Sequence, residues 1–288
     1  MSRTTLGIVS GLAAAGIWGG MYVVSKVVLD IIPPFALITT RLLLGGLTLY
    51  VVIRWRGPLK IAPRDFRRVF AVGIIGYGIS LGLQFIGTKM STAANGALVT
   101  SATPSFVLVF AYFLLGERIS AVRIVALLVS TIGVLAVIDP RNAALDASLF
   151  WGNLALLGAA LTWALYSVLI RWVTRDLDVL VVSLVAFLGG LPVSVPAGLA
   201  ELATIGVGEI TAWVVVGVLF LGIVCTALAM YLWNRAFALV DAGRVSLTFF
   251  AQPVVGAFLG WLFLNETITP LFILGGLLIA IGLVLASR

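Results

Sequence analysis

Residues 102–120 read ATPSFVLVFAYFLLGERIS, and residues 251–269 read AQPVVGAFLGWLFLNETIT. Pro104 and Glu117 stand 13 residues apart, and Pro253 and Glu266 repeat that spacing. Each segment runs on into an apolar stretch carrying an Ile-Gly pair in the same register, Ile132-Gly133 and Ile281-Gly282. The chain is written twice. Working outward from these segments, it divides into ten apolar stretches, roughly 5–29, 34–55, 67–88, 91–115, 120–138, 149–172, 178–201, 211–238, 241–264 and 269–287. Each is close to the ~20 residues that cross a bilayer core as a helix. Five fall in each copy. A unit with an odd number of spans ends on the opposite side of the membrane from its start, so its second copy enters inverted. The expected fold is an all-α polytopic membrane protein with ten transmembrane helices as two inverted five-helix repeats, residues 1–140 and 141–288.

Composition leads to the same class. Of 288 residues, 62% are hydrophobic and 10% charged, whereas soluble domains run near half apolar and a quarter charged. Pro33-Pro34, Gly57-Pro58, Asp139-Pro140 and the stretch Asp241-Ala242-Gly243 punctuate short connections and leave no room for a soluble domain. The N-terminal run, with Arg3 before it and Ala13-Ala14-Ala15 inside it, has the look of a signal peptide. It continues to Leu29, too long for a cleaved apolar region, and is kept as the first span.

The net charge of +7 would point to nucleic acid in a soluble protein. Here its placement gives another account, and no nucleic-acid partner is expected. Arg3, Arg54, Arg56, Lys60, Arg64, Arg67, Arg68, Arg118, Arg123, Arg171, Arg175, Arg235, Arg244 and Arg288 fall on one set of alternating loops and ends. The other set holds Lys89 and Arg141, with Lys26 and Arg41 near the same side. By the positive-inside rule both termini are cytoplasmic, with the lipid bilayer as partner; a bacterial inner membrane is the expected location. Cys225 is the single cysteine and histidine is absent, so neither a disulfide framework nor a cysteine or histidine metal site is expected. No cofactor is expected either.

Inverted repeats are the architecture of alternating-access carriers, whose sites lie near the midplane at the repeat interface. The candidates are polar and aromatic residues midway along spans. Trp18 and Tyr22 share a face of the first span, with Lys26 a turn later; Trp163, Ser167 and Arg171 answer them in the sixth. The two indoles either line one cavity, stacking on a ring or meeting an ammonium group, or belong to an interfacial belt. Trp55, Trp151, Trp172, Trp213 and Trp261, near span ends, fit the belt. Tyr77, Ser80 and Gln84 form a polar stripe in the third span, answered in the eighth by Thr226 and Trp233 with Tyr231 beside them. Such stripes line a cavity or bond neighbouring helices. The fourth span carries Asn95 and Thr100, and the ninth carries Thr248 and Gln252.

Pro104 and Pro253 remove a backbone bond at equivalent places and act as hinges or as static kinks. Gly16-x-x-x-Gly20, Gly78-x-x-x-Gly82 and Gly256-x-x-x-Gly260 read as close helix packing. Nine of the eleven acidic residues fall in loops or at span ends, and Glu117 and Glu266 end the fourth and ninth spans. These two tie span ends to neighbouring backbone or Arg residues, or gate. No carboxylate or histidine remains near the midplane, where proton-coupled carriers place a titrating group. That absence favours uncoupled transport or exchange, and it argues against a membrane-embedded enzyme. Lys26 and Arg171 either snorkel to the interface or offer charge to a substrate carboxylate.

The tandem five-helix units, the Trp in the first helix of each, and the Pro-to-Glu segments ending Gly116-Glu117 and Asn265-Glu266 resemble the drug/metabolite transporter superfamily in its ten-helix, two-EamA-domain form. Within it the chain looks most like bacterial amino-acid exporters, the YddG-type aromatic amino-acid exporters among them. Asn265 departs from Gly116 and shows that the position tolerates change. The resemblance implies a secondary transporter exporting aromatic, apolar or neutral amino acids and related metabolites. Its partner is a small-molecule substrate, and one chain suffices as a monomer. An exporter of another metabolite or drug is the alternative, with a membrane-embedded enzyme or a channel more remote.

Overall fold

The computed structural model describes residues 1–91, 99–138, 149–264 and 270–287. Asn95 and Glu266 lie outside the described residues, as do the side chains of Tyr22, Lys26 and Trp261. Among the described residues the chain is helical throughout, in ten segments: α1 Arg3–Leu29, α2 Pro34–Arg56, α3 Pro63–Met90, α4 Thr103–Leu115, α5 Ala121–Ile138, α6 Phe150–Val173, α7 Val179–Thr204, α8 Ala212–Leu239, α9 beginning at Ala242–Ser246 and ending with Ala251–Leu264, and α10 Pro270–Ser287. Six of them (α1, α2, α3, α6, α7 and α8) include stretches long and apolar enough to cross a bilayer.

Local chemistry sets the ends. Ser2 caps α1 by accepting the Thr5 N–H at 3.1 Å, and Asp178 Oδ1 caps α7 through Leu180 N at 2.9 Å and Val181 N at 3.2 Å, satisfying donors that a helix start leaves unpaired. Pro34 and Pro63 open α2 and α3 in the first turn, where a missing N–H costs nothing. Gly116 ends α4 at φ 68°, a left-handed conformation that disfavours a side chain.

Packing follows the repeat. α1 packs on α8 and α9, and α6 packs on α3 and α4; α2 crosses α8 as α7 crosses α3. Three of the pairs that map onto themselves, α2 with α7, α4 with α9 and α5 with α10, also pack together. Exchanging each helix for the one five places on leaves this set of neighbours unchanged, which is an internal two-fold. The Ile-Gly pairs sit at one such crossing. A Cβ at Gly133 would lie 2.7 Å from the Gly275 carbonyl oxygen, and one at Gly282 would lie 2.9 Å from that of Ala126, so neither backbone tolerates a side chain there. Between α1 and α9 the backbones come closest at Gly19, where a Cβ would meet the Gln252 carbonyl at 2.8 Å and Gly256 N at 2.9 Å; Gly16 and Gly20 have more room. The spacing Gly16-x-x-x-Gly20 marks the right helix face and misses its closest point.

Two features of the elements are absent from the sequence reading. Within α3, Ile74–Ser80 is π-helical, and within α8, Phe220–Leu228 is as well, at matching places in the repeat. A π turn widens the helix and exposes carbonyls that an α-turn would use, and such turns concentrate at functional sites. The breaks in α4 and α9 also fall just ahead of the prolines. Ser101 and Ala102 form a turn before Pro104, and the 3₁₀ turn Leu247–Phe250 precedes Pro253. Each proline opens the helical piece that follows.

The outer surface is apolar, with Leu47, Phe113 and Leu128 more than half exposed, and Trp55, Trp151, Trp172 and Trp213 are exposed at helix ends. The Arg68 guanidinium lies over the Trp172 ring at 5.6 Å.

Candidate functional site

The largest aromatic cluster sits where α1 and α6 meet. Trp18 and Trp163 pack edge to face with centroids 5.8 Å apart, Trp18 also contacts Trp233 at 5.3 Å and Phe249 at 6.3 Å, and Trp163 stacks on Tyr166 at 4.9 Å. Beside them opens a cavity of about 40 Å³ lined by Trp18, Trp163, Met21, Phe85, Met230 and Phe249, with Arg41, Ser80, Gln84, Thr100, Thr103 and Gln252 as its polar side chains. At ~10–15 Å³ for each water, this space holds a few waters and no amino acid. A substrate-sized ligand needs more room than this space offers.

Of the residues singled out from sequence, Trp18, Ser80, Gln84, Thr100, Trp163 and Gln252 line the cavity. Others are brought close and serve it from behind. Tyr77 OH pairs with Tyr166 OH at 2.6 Å, Tyr166 OH donates to Asn234 Oδ1 at 2.9 Å, and Asn234 Nδ2 donates to Ser183 Oγ at 3.0 Å. This buried chain ties α3, α6, α8 and α7 together. Ser167 Oγ donates to the Trp163 carbonyl at 2.8 Å and accepts from Trp233 Nε1 at 3.1 Å. Thr248 donates to the Val245 carbonyl at 2.7 Å. Tyr231 is partly buried and, like Tyr77, Ser167, Thr226 and Thr248, stands outside the lining.

Arg41 is the residue that sequence reasoning misread. Counted there with Lys26, Lys89 and Arg141 on the side opposite the arginine-rich loops, it is buried in α2, only 3% exposed, and lines the cavity. Its Nε donates to Thr226 Oγ1 at 3.1 Å and its Nη2 to Met21 Sδ at 3.3 Å. Thr226 can accept because its own hydroxyl hydrogen goes to the Leu221 carbonyl at 2.8 Å, inside the π turn of α8. The same turn presents the Cys225 carbonyl, which accepts from Trp18 Nε1 at 3.0 Å. Among the described residues no carboxylate pairs with Arg41, and none lines the cavity. The only hint in sequence was position: Arg41 lies two turns inside its span, deeper than a headgroup anchor needs.

At the arginine-rich end of the bundle, four charged side chains close a network. Arg171 Nε lies 2.9 Å from Glu117 Oε1 and its Nη2 3.2 Å from Asp241 Oδ1; Arg123 Nη2 donates to Asp241 Oδ2 at 2.8 Å. Glu117 also accepts the N–H groups of Ala242 at 2.9 Å and Gly243 at 3.2 Å. The carboxylate that ends α4 thus caps the start of α9, where the helix dipole favours negative charge. Arg171 further donates to the carbonyls of Phe237 and Val240, so it is committed to this network and not to the cavity.

Comparison with known proteins agrees with this architecture. The EamA-like transporter family matches twice, over residues 5–138 and 150–288. The "uncharacterized transporter YoaV" of Bacillus subtilis is 27% identical over 286 residues, 98% of this chain and 96% of that protein. The "probable biotin transporter" of Pseudomonas aeruginosa is 30% identical over 253 residues, 85% of each. A solved crystal structure superposes with a TM-score of 0.83 at 21% identity, covering 97% of this chain and 96% of that one, a likeness of fold alone. With both halves matched and the helices packed as a repeated five-helix unit, the chain belongs to the EamA-like transporter family.

Proposed function

We propose that the protein is a secondary carrier that moves amino acids, aromatic and other apolar ones first, and related small metabolites by alternating access. The observation that carries this is the cavity at the α1–α6 interface, walled by indoles from both halves and holding polar groups among apolar ones. The halves 1–140 and 141–288 are the rocking units, and a single chain forms the whole pathway. The arginine bias supports both termini in the cytoplasm, and the resemblance to bacterial exporters supports an inner-membrane placement. Export is the expected direction, by resemblance to the aromatic amino-acid exporters.

Uncoupled transport fits a cavity whose described lining holds neither a carboxylate nor a histidine. A second reading, a carrier of an apolar monocarboxylate, is favoured by Arg41 in the wall and by a relative named as a probable biotin transporter. The test is counterflow of labelled phenylalanine into proteoliposomes preloaded with unlabelled phenylalanine, with pH and voltage gradients clamped at zero. Saturable counterflow with no net proton movement supports the uncoupled carrier. Stoichiometric acidification would replace it with a proton-coupled one, and a flux that never saturates would indicate a channel.

A further inference from the structure

Buried polar atoms find partners in nearly every native structure, and those that do not call for a reason. Three side chains facing the cavity each leave one such atom bare among the described residues: Arg41 Nη1, Trp163 Nε1 and Gln252 Oε1. All three side chains are more than nine-tenths buried, at 3%, 8% and 6% exposure. Two are donors, one of them cationic, and the third is an acceptor.

The internal two-fold sharpens the point. Trp18 and Trp163 are repeat partners, yet Trp18 Nε1 has the Cys225 carbonyl and Trp163 Nε1 has no partner. Gly45 in α2 packs near Thr226, and Gly190 in α7 packs near Tyr77, which registers Arg41 with Ala186, so the cation occurs in one half only. The bare donors therefore come one from each half and break the two-fold at the site.

We infer that the transported molecule carries a carboxylate held by Arg41, and that this group, rather than an ammonium, is its obligatory feature. An isolated buried guanidinium is costly unless paired. With Nε and Nη2 spent on Thr226 and Met21, the remaining Nη1 is the donor offered to a ligand, a charge-assisted bond to a carboxylate oxygen. Gln252 Oε1 accepts from an N–H or O–H elsewhere on the molecule, and the apolar wall of Met21, Phe85 and Met230 takes its hydrocarbon part. An amino group is tolerated, over the indole faces or at Gln252, and is dispensable. The substrate class is an apolar or aromatic monocarboxylate, with or without an α-amino group. Thr226 is a positioning residue that aims Arg41 through the π turn.

This inference rests on the cavity being the transport site, and the test separates the two. In phenylalanine counterflow by the unaltered protein, 3-phenylpropanoate, which lacks the amino group, competes about as well as phenylalanine. Phenethylamine, which lacks the carboxylate, competes at least about 30-fold more weakly, the cost of a missing partner for a buried charge. Arg41→Gln erases that preference, Arg41→Lys keeps part of it, Thr226→Val weakens it and Thr226→Ser restores it. Isothermal titration of the two analogues into purified protein asks the same question without transport. Phenylalanine counterflow with phenethylamine competing equally would overturn the carboxylate anchor and leave the carrier standing. Absence of both counterflow and analogue binding in folded protein would remove the anchor and the cavity reading together.

Discussion

At the scale of single residues, hydrogen-bond accounting separates the structural from the functional members of the core. Asn234 completes the chain from Tyr77 to Ser183, so Asn234→Leu leaves Tyr166 without an acceptor and Ser183 without a donor. Thermal unfolding in detergent should show a loss of about 1–3 kcal/mol. Trp163→Phe removes an N–H that bonds to nothing in the protein while keeping a ring. It should weaken counterflow by about 2- to 10-fold, the worth of one hydrogen bond, in addition to the modest loss of thermal stability that a smaller ring brings in a packed cluster. The indoles were legible in the sequence because they stand midway along otherwise apolar spans in repeat register. Arg41 was not, because its role depends on Thr226 and on a π turn in a helix nearly two hundred residues away in the chain. A charge a few residues inside a span reads the same whether it turns to the headgroups or to the core. Tyr166 and Asn234 were likewise invisible; only their partners on other helices give them a role.

The helices themselves were largely readable. Apart from the fourth span, whose expected start at 91 falls beside residues outside the described ones, span limits fell close to the observed ends because Pro34, Pro63, Gly116 and Asp178 impose them by local stereochemistry and capping. The repeat likewise announced which helices occupy equivalent places. What it withheld were the π segments Ile74–Ser80 and Phe220–Leu228, since a π turn has no composition of its own and forms when tertiary contacts reward the exposed carbonyls. The α5–α10 crossing gives a test at this scale. Gly133→Leu or Gly282→Leu should each force the helices apart at about 1–3 kcal/mol, read as lower thermal stability, whereas Ile132→Leu, at an exposed position, should be silent.

For the whole molecule, the small cavity and the closed network at the arginine-rich end describe one state. Glu117, Arg123, Arg171 and Asp241 join α4, α5, α6 and the start of α9, and the cavity lies deeper, between the halves. Opening that end must break the ion pairs and uncap α9. Glu117→Gln should therefore favour the open form, seen as faster maleimide labelling of Ser246→Cys, a buried position next to the network, in a Cys225→Ser background. Unchanged labelling would mean that the network does not hold that end shut.

The most direct measurement compares two tryptophans in one assay, phenylalanine counterflow in proteoliposomes under clamped gradients. Trp163 walls the cavity, and Trp151, in the same helix, is exposed near its end. If transport runs through the cavity, Trp163→Ala loses saturable counterflow while Trp151→Ala keeps it, both proteins eluting as folded species. Counterflow retained by Trp163→Ala, or lost equally in both, would contradict a substrate path through the paired indoles.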